Sequence, residues 1–264
     1  MVAPPQSETP SHASTIVDQF SRQAEGFAKS PALHNAAALA LLVEAAAPQP
    51  NDAVLDIACG PGSVVVAFAS RVRRSVGLDA TEAMLAQARG LAAARNLKNT
   101  EWYQGDVYRL PFEAASFDIV SCRFAFHHFE TPAHALAEMV RVCRPGGRIV
   151  LCDAVASDDA AKAAAFNRME RHRDPSTVAF RPLACLYQLF ADAGLPAPSS
   201  KTYQVPVERE RLIAMSFPVA DDCEQLRGMI DASVDGDSMG LGSRREGDTV
   251  WFSYPAVILV AVKP

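Results

Sequence analysis

No apolar run in this chain reaches the roughly 18 residues that a membrane-spanning helix needs. No two cysteines have CxxC spacing. The six stand singly, at Cys59, Cys122, Cys143, Cys152, Cys185 and Cys223. Zinc-ribbon and thioredoxin-like readings therefore have no support, and the thiols read as small buried hydrophobes in a reduced cytoplasm. Lys and Arg are nowhere gathered into a basic stripe, and the net charge is −5, which argues against a broad phosphate-neutralising face. The opening residues, MVAPPQSETPSHAST, have neither the basic region nor the apolar core of a signal peptide, so residues 1–14 are expected to be a mobile tail. No internal repeat is visible.

What is present is 264 residues, 49% of them hydrophobic, enough for one large domain. The stretch 30–48 reads as an alanine-rich helix opened by Ser30 and Pro31 and stopped by Pro48 and Pro50. Short apolar runs then alternate with helical periods. Strands are expected at 53–59, 74–80, 100–106, 117–125 and 148–154, with helices at 63–72, 81–97 and 131–143 between them. That alternation implies an α/β fold with a doubly wound, mostly parallel sheet. Downstream, 157–193 reads as mainly helical with an interruption, 200–207 as a strand, and 208–216 and 221–234 as helical pieces. A glycine-rich loop follows, and a last long apolar run reads as a final strand. Residues 205–250 are expected to be an insertion packed over the rim of the sheet.

Ligands of such sheets bind beyond the carboxyl ends of the strands. VLDIACGPG, residues 54–62, places Asp56 inside an apolar strand and Gly60 and Gly62 in the turn after it, where the bare backbone permits a close approach. Asp79 closes the second strand, where a carboxylate can accept from both hydroxyls of a ribose; Thr81 is expected to cap the following helix and leave Asp79 free. Asp106 follows the third strand and can accept from an exocyclic amine, with Val107 against the ring; an Asx turn is the alternative. Three acids on one rim suggest an adenosine-bearing ligand. The third glycine of G-x-G-x-x-G is missing, since Val65 stands in its place. Asp56 would repel a pyrophosphate and suits an ammonium group instead. Adenosine with an amino-acid tail is S-adenosyl-L-methionine.

VLDIACGPG, VGLDAT, GDVYRLPF, FDIVSCRFAFHHF and RVCRPGGRIVLCD, spanning about residues 50–154, resemble in order and spacing the motifs of class I S-adenosylmethionine-dependent methyltransferases. The likeness is to the small-molecule branch similar to the ubiquinone and menaquinone methyltransferases. It implies a seven-stranded Rossmann-like sheet whose last strand is antiparallel, a helical lid over 15–50, and a cofactor-binding α/β domain over 51–264. Carried over by position, Asp56, Gly60 and Gly62 hold the methionine end, Asp79 the ribose, and Asp106 with Val107 the adenine. Ala58, Cys59 and Ala80 flank these, and Cys59 stands where many members have glycine. Arg123 is a further cofactor candidate, contact with only a neighbouring helix being the alternative. His127 and His128, just past the fourth strand, are the candidates for a catalytic base, a structural role being the alternative. Phe20, Phe27 and His34 on the lid, and Arg168, Arg171 and His172 in a cluster with Arg173 and Asp174, are the acceptor-site candidates; plain core on one helical face for the two phenylalanines, and a solvated helix end with local ion pairs for the cluster, are the alternatives. The partners implied are a small-molecule acceptor, neither nucleic acid nor membrane, with homodimer formation left open. No metal is expected. A nucleotide-linked oxidoreductase and a non-catalytic binder of the same cofactor remain alternatives.

Overall fold

The computed structural model describes residues 11–30 and 34–264. Among them, α1 (His12–Ala28) and α2 (Ala36–Ala46) precede the sheet. Next come β1 (Ala53–Ile57), α3 (Ser63–Ala69), β2 (Arg74–Asp79), α4 (Glu82–Ala94), β3 (Thr100–Gln104), β4 (Phe117–Arg123), α5 (Pro132–Val142) and β5 (Cys143–Ala154). The chain continues through α6 (Ala160–Arg173), α7 (Leu183–Asp192), β6 (Ser199–Glu208), α8 (Arg209–Ala214), α9 (Cys223–Asp231), β7 (Arg244–Glu246) and β8 (Thr249–Val262).

One sheet holds all eight strands, in the order β3-β2-β1-β4-β5-β8-β6, with β7 folded onto β8. β1 to β5 pair in parallel, and β8 runs antiparallel to β5, β6 and β7. The expected doubly wound sheet with an antiparallel last strand is therefore present, with one strand more than expected. β7 reads Arg-Arg-Glu and is exposed throughout, so no apolar alternation announces it inside the glycine-rich loop.

All five residues of β1 are buried, as a central parallel strand requires. Leu55 and Ile57 pack on one face with Leu136, Met139, Leu186 and Phe190 of α5 and α7. Val54 packs on the other face with Leu42, Val64 and Phe68 of α2 and α3. A third apolar cluster joins Phe166 and Met169 of α6 to Leu212, Leu226, Ile230 and Phe252. It builds a helical annex from α6, α8 and α9 against β8.

Two expectations near the N-terminus are corrected. Residues 1–10 of the expected tail lie outside the described residues, but His12 to Ser14 are helical, capped by Ser11, whose hydroxyl accepts from Ser14 N. The second helix does not start at Ser30. Asn35 caps it, Oδ1 accepting from Ala38 N at 3.0 Å, and Ser30 instead closes the turn after α1. Pro31 lies outside the described residues.

Candidate active site

The strand order reverses between β1 and β4, which opens a crevice at their carboxyl ends. Asp56 lies there, 2% exposed, opposite its register partner Ser121. Ser121 Oγ donates to Asp56 Oδ1 at 2.7 Å. Burial pushes the Asp56 carboxyl up to about 7, against the Ser121 hydrogen bond and the charge of Arg123. The chain then turns through Ala58 and Gly60, both at positive φ. Gly60 faces open space on its Cβ side. Gly62 differs: at φ +85° a Cβ would sit 2.7 Å from Trp102 and 2.8 Å from Ala88 Cβ. Gly62 is required by packing and, unlike Gly60, does not line the cavity.

Asp79 is buried and spends one lone pair of each oxygen on the backbone. Oδ2 accepts from Gly60 N at 2.8 Å, and Oδ1 accepts from Thr81 N at 2.9 Å. Thr81 occupies the N-cap position of α4, yet its hydroxyl makes no cap bond, so the expected division of labour is reversed. The Asp79 carboxylate ties the β1 turn to the start of α4. Burial shifts it upward, opposed by these two backbone bonds. Asp106 is exposed and forms an Asx turn, Oδ1 accepting from Tyr108 N at 2.9 Å.

These groups wall a cavity of about 530 Å³. Asp56, Ala58, Cys59, Gly60, Asp79, Ala80, Asp106, Val107 and Arg123 all line it. Arg123 lies over the Phe124 ring, 4.4 Å from its centroid. Helix α1 runs along the opening and contributes His12, Ile16, Phe20 and Phe27. It is fastened there by His12 Nε2, 2.8 Å from the His128 carbonyl, and by Gln23 Nε2, which donates to Asp174 Oδ2 at 3.2 Å. His34 does not reach the cavity; its Nδ1 lies 3.0 Å from Ser63 Oγ, which does.

A second cavity, of about 240 Å³, meets the first at Phe27, Phe124 and His128. His127 faces this second cavity. Its Nδ1 lies 2.8 Å from Asp153 Oδ1, and its backbone N–H is held by Asp153 Oδ2 at 3.0 Å. With Asp153 ionised, Nδ1 carries the proton and Nε2 keeps its lone pair. The ring stacks on Phe180 at 4.0 Å. His128 Nδ1 meets the Ser176 carbonyl at 3.0 Å, which makes Nδ1 the donor there. Burial, reinforced by His127 beside it, holds His128 neutral, well below the usual histidine range.

Arg168, Arg171 and His172, expected at the acceptor site, line neither of these two cavities. Arg168 and Arg171 are exposed, Arg171 bonding the Val178 carbonyl, and His172 bonds the Asp222 carbonyl. Glu170, Arg173 and Asp174 line the second cavity instead, facing Tyr254 and Trp251 of β8. Helical phase separates the two sets. Phe166 and Met169 mark the buried side of α6, and Glu170 and Arg173 continue it at i+4 and i+7. That signal lay in the sequence; the approach of β8 and of Asp153 did not.

Residues 55–151 match a family model described as methyltransferase domain. Over that stretch the chain carries a methyltransferase domain of the S-adenosylmethionine-dependent kind. The methyltransferase is 28% identical over 246 residues to the uncharacterized methyltransferase YcgJ of Bacillus subtilis, covering 92% of this chain and 97% of that one. The crystal structure of YcgJ superposes with a TM-score of 0.79 over 85% of the methyltransferase. A demethylmenaquinone methyltransferase of Deinococcus radiodurans is 42% identical over 102 residues, which span only 42% of that relative. Phosphoethanolamine N-methyltransferase 2 of Haemonchus contortus, solved with S-adenosylhomocysteine, shares the fold at a TM-score of 0.67 and 16% identity. Among the described residues no helix is long and apolar enough to cross a membrane.

Proposed function

We propose that this methyltransferase methylates a small molecule, with S-adenosyl-L-methionine in the larger cavity and the acceptor in the smaller one. The observation that carries this reading is that two cavities adjoin at a junction formed by Phe27, Phe124 and His128, one rimmed by Asp56, Asp79 and Asp106 and the other walled by aromatic and aliphatic side chains around a cluster of charged ones.

The larger cavity fits the cofactor chemically. Asp56 can ionise near neutrality beside the cleft and suits an ammonium group. Asp79 keeps a second lone pair on each oxygen for the ribose hydroxyls. Asp106, with Val107 beside it, suits an adenine edge. When bound, the cofactor supplies an activated methyl group on a sulfonium. The protein then needs to align the acceptor and exclude water, and such alignment is worth ~7–11 kcal/mol. Helix α1, with Phe20 and Phe27, acts as the lid that closes the cleft. For an acceptor that carries a proton, His127 Nε2 is the base, and Asp153 holds the imidazole in the tautomer that can take it. His128, held neutral and bonded to Ser176, orients the loop.

Calorimetry tests the reading. S-adenosylhomocysteine is expected to bind the wild-type chain. Asp79→Ala weakens that binding by about 1.5–3 kcal/mol for each hydrogen bond lost to the charged acceptor. A folded chain that ignores both the cofactor and its demethylated product at millimolar concentration overturns it.

A further inference from the structure

The smaller cavity contains a buried cation with unused donors. Arg173 ends α6 with its side chain 11% exposed, and its Nε donates to Glu170 Oε2 at 2.9 Å. The other oxygen of Glu170 accepts from the Tyr254 hydroxyl. Asp174, next in the chain, accepts from Ser176 N and Oγ and from Gln23 Nε2. The third carboxylate of the lining, Glu208, pairs with Arg211 at 2.8 Å, so all three are engaged by protein donors. The two Nη nitrogens of Arg173 have no hydrogen-bond partner among the described residues, and Arg173 lines the cavity. A guanidinium is donor only, so those nitrogens offer hydrogen bonds to acceptor atoms of a molecule in that space.

Much of the remaining wall is aromatic or aliphatic. Phe180 lies 19° from parallel to the His127 ring and 23° from parallel to Tyr254. Phe27, Phe124 and Trp251 complete it. The volume of about 240 Å³ exceeds the ~150 Å³ that suffices for benzene in an engineered apolar cavity, so a single substituted ring fits.

We propose that the methyl acceptor is a planar single-ring compound whose oxygen-bearing edge, carboxylate or carbonyl, is held by the Nη groups of Arg173, with the atom to be methylated turned toward the junction at Phe27, Phe124 and His128. This rests on the smaller cavity being the acceptor site, as read above. An amine in the same place would oppose donor to donor.

The test is calorimetry on the full chain saturated with S-adenosylhomocysteine, titrated with benzoate, acetophenone and benzylamine. These probes share the ring and differ in the edge: anionic oxygen, neutral carbonyl and ammonium. One or both oxygen-edged probes are expected to bind, with benzylamine weaker by roughly tenfold or more. The order of the first two tells an anionic acceptor from a neutral one. Arg173→Lys keeps the charge and loses the planar fork, and is expected to weaken the oxygen-edged probe by roughly tenfold with affinity for S-adenosylhomocysteine unchanged. Three results overturn the proposal: benzylamine binding as well as the other two, unchanged probe affinity in folded Arg173→Lys, or none of the probes binding to a chain that binds S-adenosylhomocysteine. The probe comparison uses the wild-type chain and so stands however the variant folds. Failure of S-adenosylhomocysteine itself to bind refutes the cofactor reading instead.

Discussion

His127 and His128 are neighbours whose rings lie 4.1 Å apart, yet their surroundings prepare them for different work. Asp153 faces His127 and fixes the orientation of its ring through Nδ1; His128 meets a carbonyl and a hydroxyl and is pressed toward neutrality by burial. The expected outcome with any acceptor that loses a proton is a split. His127→Ala lowers kcat by ~10²–10⁴, and Asp153→Asn lowers it in the same direction with an altered pH profile. His128→Ala acts mainly on KM through the loop it braces. Steady-state kinetics across pH check this, and equal effects of the two alanine variants on kcat would refute the assignment. The pair was legible in the sequence as a pair. The distinction between its members was not, because Asp153 and Ser176 come from other parts of the chain.

At the scale of the element, the turn from β1 into α3 needs its two glycines for different reasons. Gly62 has no room for a Cβ, since Trp102 of β3 and Ala88 of α4 press against it. Gly60 has room and needs only its left-handed backbone. Gly62→Ala is expected to destabilise the fold by at least roughly 1–3 kcal/mol through overpacking. Gly60→Ala costs less, roughly 1–2 kcal/mol, from backbone strain alone. Urea unfolding midpoints at unchanged slope measure both; equal losses would contradict the packing argument. The motif reading named both glycines but treated them alike, because a sequence carries no record of which neighbour fills the space above a turn. Helix α6 shows the same limit from the other side. Its charged cluster was visible, but only the phase marked by Phe166 and Met169 tells Glu170 and Arg173 from Arg168, Arg171 and His172.

Across the whole molecule, buried titrating groups at the rim make stability depend on pH in opposing directions. Asp56 titrates at 3.8 when unfolded and at about 7 when folded, so between these values the native state holds more protons. Stability contributed by Asp56 therefore falls as pH rises through that window, with a slope approaching about 1.4 kcal/mol per pH unit. His128 has the opposite sign. Its folded form resists protonation, so its contribution grows as pH rises toward the ordinary histidine value of 6.5. The two partly cancel in mildly acidic solution, which hides either one in the wild-type chain. Asp56→Asn separates them while leaving a side-chain acceptor for Ser121. The stability of the variant relative to the wild type is expected to increase from pH 5 to pH 7 and then level off, read from urea unfolding without cofactor. A difference that is flat across this range would show that Asp56 ionises normally.

The sequence by itself determined the alternation of elements, the parallel sheet, the carboxylates at its rim and the family, because periodicity, turn chemistry and motif spacing are local properties. Tertiary structure decided which of those groups share a space. It turned Asp79 onto the backbone of Gly60 and Thr81, brought Asp153 to His127, and set Tyr254 of β8 against Glu170 of α6 across 84 residues of chain. Contacts of that range follow from how sheet and annex close on their apolar clusters, and burial then sets the charge each group can carry.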